Sequence, residues 1–263
     1  MRYVLLMLGG LLMLISTACD QSATTTTEES AQTDSVSVDS SNPTISPGKE
    51  LNLETVLAKP DTSLLERTIL SQGLVNILSV DPDVRLDMKY STEDNFLKAD
   101  VYGDFSDCYL QAEVAEMLAR ADSLIQDEHP SIRLLIYDCV RPRSVQYQMW
   151  DIVKGTDQQN YVAPPGGGGS MHNYGAAVDL GLTHIDSGIV DMGTPFDYFG
   201  KLAQPRFEAK YLQSGELNQQ QIENRLILRR AMRAAGFHMI MSEWWHFNGF
   251  ERPEVRRRYQ IVE

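Results

Sequence analysis

The stretch that most restricts the fold is "SEWWHF", Ser242 to Phe247. A glutamate and a histidine sit three residues apart among bulky aromatics, where a buried charge without a partner is costly. The fold must therefore bring other polar groups to them. "SMHNYGAAVD", Ser170 to Asp179, carries such groups. If Ala176 to Leu180 form a strand, Ala177 and Asp179 share a face and the small alanines leave space beside the carboxylate. Gly175 lets the preceding loop bend so that His172 comes back over that strand. A third stretch, "IYDCVRPRS", ends a buried apolar run at Arg141, directly before a proline. An arginine there serves either as a donor to an oxyanion or as half of a structural ion pair with Asp138.

The remaining patterning points to mixed structure. "SIRLLIYDCV" and "GAAVDLGLTHID" read as strands, "LVNILSV" and "VRLDMKY" as shorter ones, and "HMIMSEWWHFNGF" as a strand that ends at Asn-Gly. "CYLQAEVAEMLARADSLIQDEH" is amphipathic, with Leu110, Val114, Met117, Leu118 and Leu124 near one face. "RSVQYQMWDIVKG" reads as a helix after Pro142, and "QQQIENRLILRRAMRAAGF" as a long one with Gly236 at its end. Strands and helices do not alternate strictly, so the expected class is α+β, with a mostly antiparallel central sheet flanked by helices. A chain of 263 residues, 43% apolar, supplies one good core or two small ones. We expect one folded domain over residues 62–263.

The first residues, "MRYVLLMLGGLLMLISTACDQ", read as an export signal: Arg2, an apolar run from Val4 to Ile15, then small residues ahead of Cys19. The pattern resembles a bacterial lipoprotein signal, with Ser16 where that signal usually has Leu. Residues 20–61 read as a polar tether, because the stretch up to about residue 45 has almost no apolar content and cannot offset its ordering entropy. The expectation is an exported protein of the cell envelope, held to a membrane through an N-terminal lipid alone. A net charge of −13 makes nucleic acid a poor partner, and the short basic cluster "RRRYQ", Arg256 to Gln260, reads as a solvated face. Cys108 and Cys139 remain beyond the signal; they form a disulfide or stay as two buried thiols.

A histidine taken alone is usually a surface or core residue, and His129, His184 and His238 carry no further signal. His172, Asp179 and His246 together make a two-His, one-Asp set suited to one zinc ion per chain, with an open position for water. Glu243 is then left over as a general base, its pKa raised by Trp244 and Trp245. "PPGGGG", from Pro164, is no phosphate loop, because no Gly-Lys-Ser/Thr follows it; it reads as a rim of the site or as plain linkage.

"SMHNYGAAVD" followed by "EWWH" resembles the Ser-x-His-x-x-Gly-x-Ala-x-Asp and Glu-x-Trp-His pair of the D-alanyl-D-alanine dipeptidases, zinc peptidases related to the D,D-carboxypeptidases. "DMKYSTEDNFLKADVYG", "YDCVRP" and "MGTPFDYF" are similar to further segments of that family, in the same order over about residues 75–250. The resemblance implies zinc ligands at His172, Asp179 and His246, a catalytic base at Glu243 and an oxyanion donor at Arg141. It also implies a carboxylate for the substrate ammonium at Asp197 and a substrate contact at Ser170. Cys139 and Val140 depart from the family pattern next to Arg141. The implied activity is zinc-dependent hydrolysis of D-Ala-D-Ala or a close relative. The alternatives are a D,D- or L,D-carboxypeptidase acting on peptidoglycan peptides and a zinc-dependent wall-peptide-binding module without catalysis.

Overall fold

The structure, a computed structural model, describes residues 62–263. The expected export signal over 1–19, with Cys19, and the expected tether over 20–61 lie outside the described residues.

Among the described residues, six helices and eight strands follow in order: α1 (Thr62–Ser71), β1 (Leu74–Asn76), β2 (Arg85–Leu86), β3 (Tyr109–Gln111), α2 (Ala112–Glu128), β4 (Ile132–Asp138), α3 (Arg143–Val153), β5 (Ala177–His184), β6 (Gly188–Ile189), α4 (Glu208–Ser214), α5 (Gln219–Ala234), β7 (His238–Met239), β8 (His246–Asn248) and α6 (Arg252–Arg258). The main sheet runs β2-β4-β5-β8-β7, with β6 also paired to β5. β2 lies parallel to β4 and every other pairing is antiparallel. β1 and β3 form a separate antiparallel pair. This is the expected α+β class, and the sheet is not closed into a barrel.

β4 is buried continuously from Leu134 to Asp138, the mark of a strand covered on both faces. α2 lays Val114, Met117, Leu118, Ala121 and Ile125 into the core, while Leu124 falls outside that stripe and is exposed. Asp122, on the buried face of α2, accepts a hydrogen bond from the Leu134 amide at 2.8 Å and so pins helix to sheet. α5 ends as expected, with Gly236 at φ +105°, a conformation that favours glycine.

Two sequence expectations need correction. "HMIMSEWWHFNGF" is not one strand but a hairpin: His238 pairs with Asn248 and Met239 with Phe247, so the chain reverses through residues 240–245. The aromatic density that suggested a strand belongs to the buried bend, where Trp244 and Trp245 are almost fully enclosed. "CYLQ" is likewise not helical. Tyr109–Gln111 pairs with β1, and the helix starts at Ala112.

Register is what positions the site. β4 carries an irregularity between Ile136 and Asp138, which sets Asp138 opposite Asp179. On its other side Asp179 stands opposite His246. Three adjacent strands thus carry Asp138, Asp179 and His246 in one row. The open question about the cysteines is also resolved: Cys108 and Cys139 form a disulfide, Cα–Cα 5.3 Å, tying the residue before β3 to the end of β4.

Candidate metal centre and active site

Three side-chain atoms converge, from β5, β8 and the turn before β5. His172 Nε2 lies 3.2 Å from His246 Nδ1 and 3.3 Å from Asp179 Oδ1, and the last two are 2.9 Å apart. Donors about 2.0–2.2 Å from one tetrahedral ion stand on the order of 3.3 Å from each other, so this triangle fits a shared cation. Asp179 and His172 are buried and His246 is half-buried. Burial opposes ionisation of Asp179, but the two imidazoles outweigh it and hold its carboxyl well below the usual range.

Each imidazole is oriented from behind. His172 Nδ1 lies 2.7 Å from the Cys139 carbonyl oxygen, and His246 Nε2 lies 3.0 Å from Asn248 Oδ1. Donating an N–H to those acceptors leaves the facing nitrogen of each ring unprotonated, as a metal ligand must be. The loop that carries His172 is a short 3-10 turn, Met171–Tyr174. Ser170 Oγ accepts from the His172 amide, and Asn173 Oδ1 accepts from the Ser170 amide at 2.7 Å. Gly175 ends the turn at φ +62°, where a Cβ would stand 2.5 Å from Leu74 Cδ2. The turn is also tied to the end of β4, because the Arg141 amide donates to the His172 carbonyl at 3.0 Å.

Arg141 forms the ion pair with Asp138 and also faces the pocket. It is buried and donates Nε and Nη2 to Asp138 Oδ2 at 3.0 and 2.6 Å, and Nη1 to Gln146 Oε1 at 2.9 Å. It also lies 3.8 Å from Asp179 Oδ2 and lines the same pocket as the donor triangle. Burial alone would weaken its charge, but Asp138 more than compensates, so the guanidinium stays protonated.

The pocket has a cavity volume of about 250 Å³, and Ser170, Asp197, Glu243 and Trp245 are among its walls. Glu243 belongs to the bend before β8 and is not one of the three converging donors. Burial, reinforced by Asp179, pushes its pKa up to about 7, although His246 pulls the other way. Asp197 sits at φ +59°, a strained conformation that Asp tolerates better than most residues. The Tyr90 hydroxyl donates to its two oxygens at 3.0 and 3.2 Å. Burial and the Asp179 charge push the Asp197 pKa up to about 8. This is a carboxyl group with no cationic partner among the described residues.

The sequence profile of a family described as D-ala-D-ala dipeptidase matches residues 70–263. The chain belongs to that family. Similar proteins include the D-alanyl-D-alanine dipeptidase of Escherichia coli (strain K12), 31% identical over 174 residues, covering 66% of this chain and 83% of the relative. The D-alanyl-D-alanine dipeptidase of Enterococcus faecalis (strain ATCC 700802 / V583) is 30% identical over 189 residues, covering 65% and 88%. That of Enterococcus faecium is 30% identical over 184 residues, covering 62% and 85%. The dipeptidase family is one of metallopeptidases, which agrees with the donor triangle. The chain is an enzyme of that kind.

The structure brings together all seven residues singled out from the sequence: the triangle, and around it Ser170, Glu243, Arg141 and Asp197. It adds residues that sequence reasoning did not assign to the site. Tyr90 and Gln146 each hold one of those groups, and Asn248 and the Cys139 carbonyl orient the imidazoles. Tyr90 lies in the family-like "DMKYS" segment, so a signal existed. The Cys139 carbonyl had none, because a backbone acceptor leaves no mark on residue type.

Proposed function

We propose that the chain hydrolyses D-Ala-D-Ala or closely related dipeptides, using one zinc ion held by His172, Asp179 and His246. The observation that carries this reading is the donor triangle with a separate, half-buried carboxyl at Glu243 in the same pocket. Zinc bound there supplies a Lewis acid for the scissile carbonyl and lowers the pKa of water to about 7. Glu243 takes the proton of the attacking water and returns it to the leaving amine. Its raised pKa suits both transfers near neutral pH. Arg141 donates to the oxygen on which negative charge develops, fixed in place by Asp138 and Gln146. Asp197 accepts the substrate ammonium, which supplies the cation that this carboxyl lacks, and Tyr90 fixes its orientation. Ser170 contacts the substrate from the turn that carries His172.

A carboxypeptidase trimming longer wall peptides would leave the amino side open, whereas in this reading the half-buried Asp197 carboxyl closes it. A binding module without catalysis would have no use for Glu243. Metal-loaded protein should hydrolyse D-Ala-D-Ala, fail with a chelator present, and act poorly on N-acetyl-D-Ala-D-Ala. Equal rates on the free and acetylated substrates would favour the carboxypeptidase. One zinc per chain with no hydrolysis of any D,D-, L,D- or L,L-dipeptide would favour the binding module. We also place the activity in the cell envelope, on an exported and lipid-anchored chain. The apolar run before Cys19 supports this, and so does the Cys108–Cys139 disulfide, which suits an oxidising compartment.

A further inference from the structure

The pocket is lined by one acidic and one basic side chain that do not pair with each other. One is Asp197. The other is Arg252, the first residue of α6, which donates from Nη1 to the Gly169 carbonyl at 2.9 Å, directly beside Ser170. Arg141, the other arginine in the pocket, has its charge paired with Asp138 and three of its five N–H donors used on Asp138 and Gln146. No carboxylate among the described residues pairs with Arg252. A guanidinium has five N–H donors, and one of these is used on Gly169.

The mount for Arg252 is the glycine run that the sequence left unexplained. Three successive carbonyls are each captured: Gly167 by Arg256 Nη2 at 2.9 Å, Gly168 by the Tyr174 hydroxyl at 3.0 Å, and Gly169 by Arg252. All three glycines have positive φ, 63°, 109° and 57°. A Cβ at Gly168 would lie 2.6 Å from the Arg256 guanidinium. The run is a shaped seat for α6, and it turns one member of the C-terminal basic segment toward the pocket.

We propose that Arg252 is the specificity-determining residue that recognises the carboxylate of the dipeptide substrate. This rests on the dipeptidase reading above. A free dipeptide is a zwitterion, and a pocket holding one unpaired carboxyl and one uncommitted guanidinium complements both of its ends. Arginine suits a carboxylate because its planar fork accommodates both oxygens. The site thereby selects substrates with a free C-terminus as well as a free N-terminus.

The test compares D-Ala-D-Ala with D-Ala-D-alaninamide, in which the carboxylate becomes a neutral amide, on metal-loaded wild type, R252Q and R252K. Wild type should prefer the acid by about tenfold or more in kcat/KM, the scale of a charge-assisted contact. R252Q should lose that preference through KM, with kcat on the acid nearly unchanged and the rate on the amide unaffected. R252K should keep part of the preference. If Arg252 only supports the glycine run, R252Q depresses both substrates equally, and that result overturns the proposal, as does no effect on either. If wild type hydrolyses neither compound, the dipeptidase reading fails, and calorimetric binding of the two compounds decides the role of Arg252 separately. Tighter binding of the acid that disappears in R252Q would uphold the assignment; no discrimination by wild type would overturn it.

Discussion

The two parts of the pocket are built on different principles. The metal donors are set by strand register and by a turn locked to the end of β4, and every imidazole nitrogen has a partner. Asp197 and Arg252 come instead from a loop and a short helix, and among the described residues neither forms an ion pair. Asp197 even holds a strained backbone conformation. On the proposed function, the difference teaches that the chemistry is placed on and beside the sheet, while selectivity rests on groups whose electrostatic needs a ligand meets. Such groups cost stability in the free protein and add affinity in the complex.

The largest effects should come from the sheet side. Removing a donor, as in Asp179→Ala or His246→Ala, should abolish metal binding and turnover together, read by metal content and rate. Glu243→Ala should keep the metal and lose about a hundred- to ten-thousandfold in kcat, the usual worth of a positioned base. If Glu243→Ala loses the metal instead, the separation between base and ligands is wrong.

Arg141→Ala should lose about a hundredfold or more in turnover, the effect of one missing oxyanion donor. The structure adds a second consequence. Asp138 is fully buried, with the Tyr102 hydroxyl as a further hydrogen-bond donor at 2.7 Å, so the variant strands a charge and its Tm should fall. Undiminished turnover would leave Arg141 a structural residue only.

On the selectivity side, Asp197→Asn should raise KM for free dipeptides by about tenfold and leave the N-acetylated substrate unaffected. Its effect on stability should have the opposite sign. The folded pKa of Asp197, about 8, lies above the ordinary carboxylate value, so the folded chain keeps a proton that the unfolded chain releases. That stabilising contribution is complete below about pH 4 and is lost as pH rises to about 8. Metal-free Asp197→Asn should therefore melt higher than wild type at pH 8 and alike near pH 4. A lower Tm at pH 8 would contradict the claim that Asp197 lacks a partner.

The smallest effect is a shift of a pH profile. Glu243 acts as a base only when ionised, so turnover should rise with pH. Its pKa is about 7 without a cation, and a bound cation favours the charged form, so the limb should lie at or below about 7. A limb well above 7 would point to a different base.

Much of the site was legible because its residues sit in short, unusual contexts. A charged pair among tryptophans and an aspartate among alanines each demand an explanation in residue type alone. β4, β5, α3 and α5 were legible for the ordinary reason that apolar period and breakers agree. The reversal inside "HMIMSEWWHFNGF" was not, because a buried bend and a buried strand have the same composition. Arg252 was hidden because it is exposed like the basic run that follows it, and only its place beside the pocket sets it apart. The Cys108–Cys139 pairing depended on a distance, and residue types carry none.

The most direct measurement is X-ray absorption of the zinc-loaded chain, with metal content determined on the same sample. The account predicts one zinc per chain with two imidazole nitrogens and a carboxylate oxygen at about 2.0–2.2 Å, and loss of that signal in Asp179→Ala. A chain that takes up no zinc, or a coordination shell without two imidazoles, would contradict it.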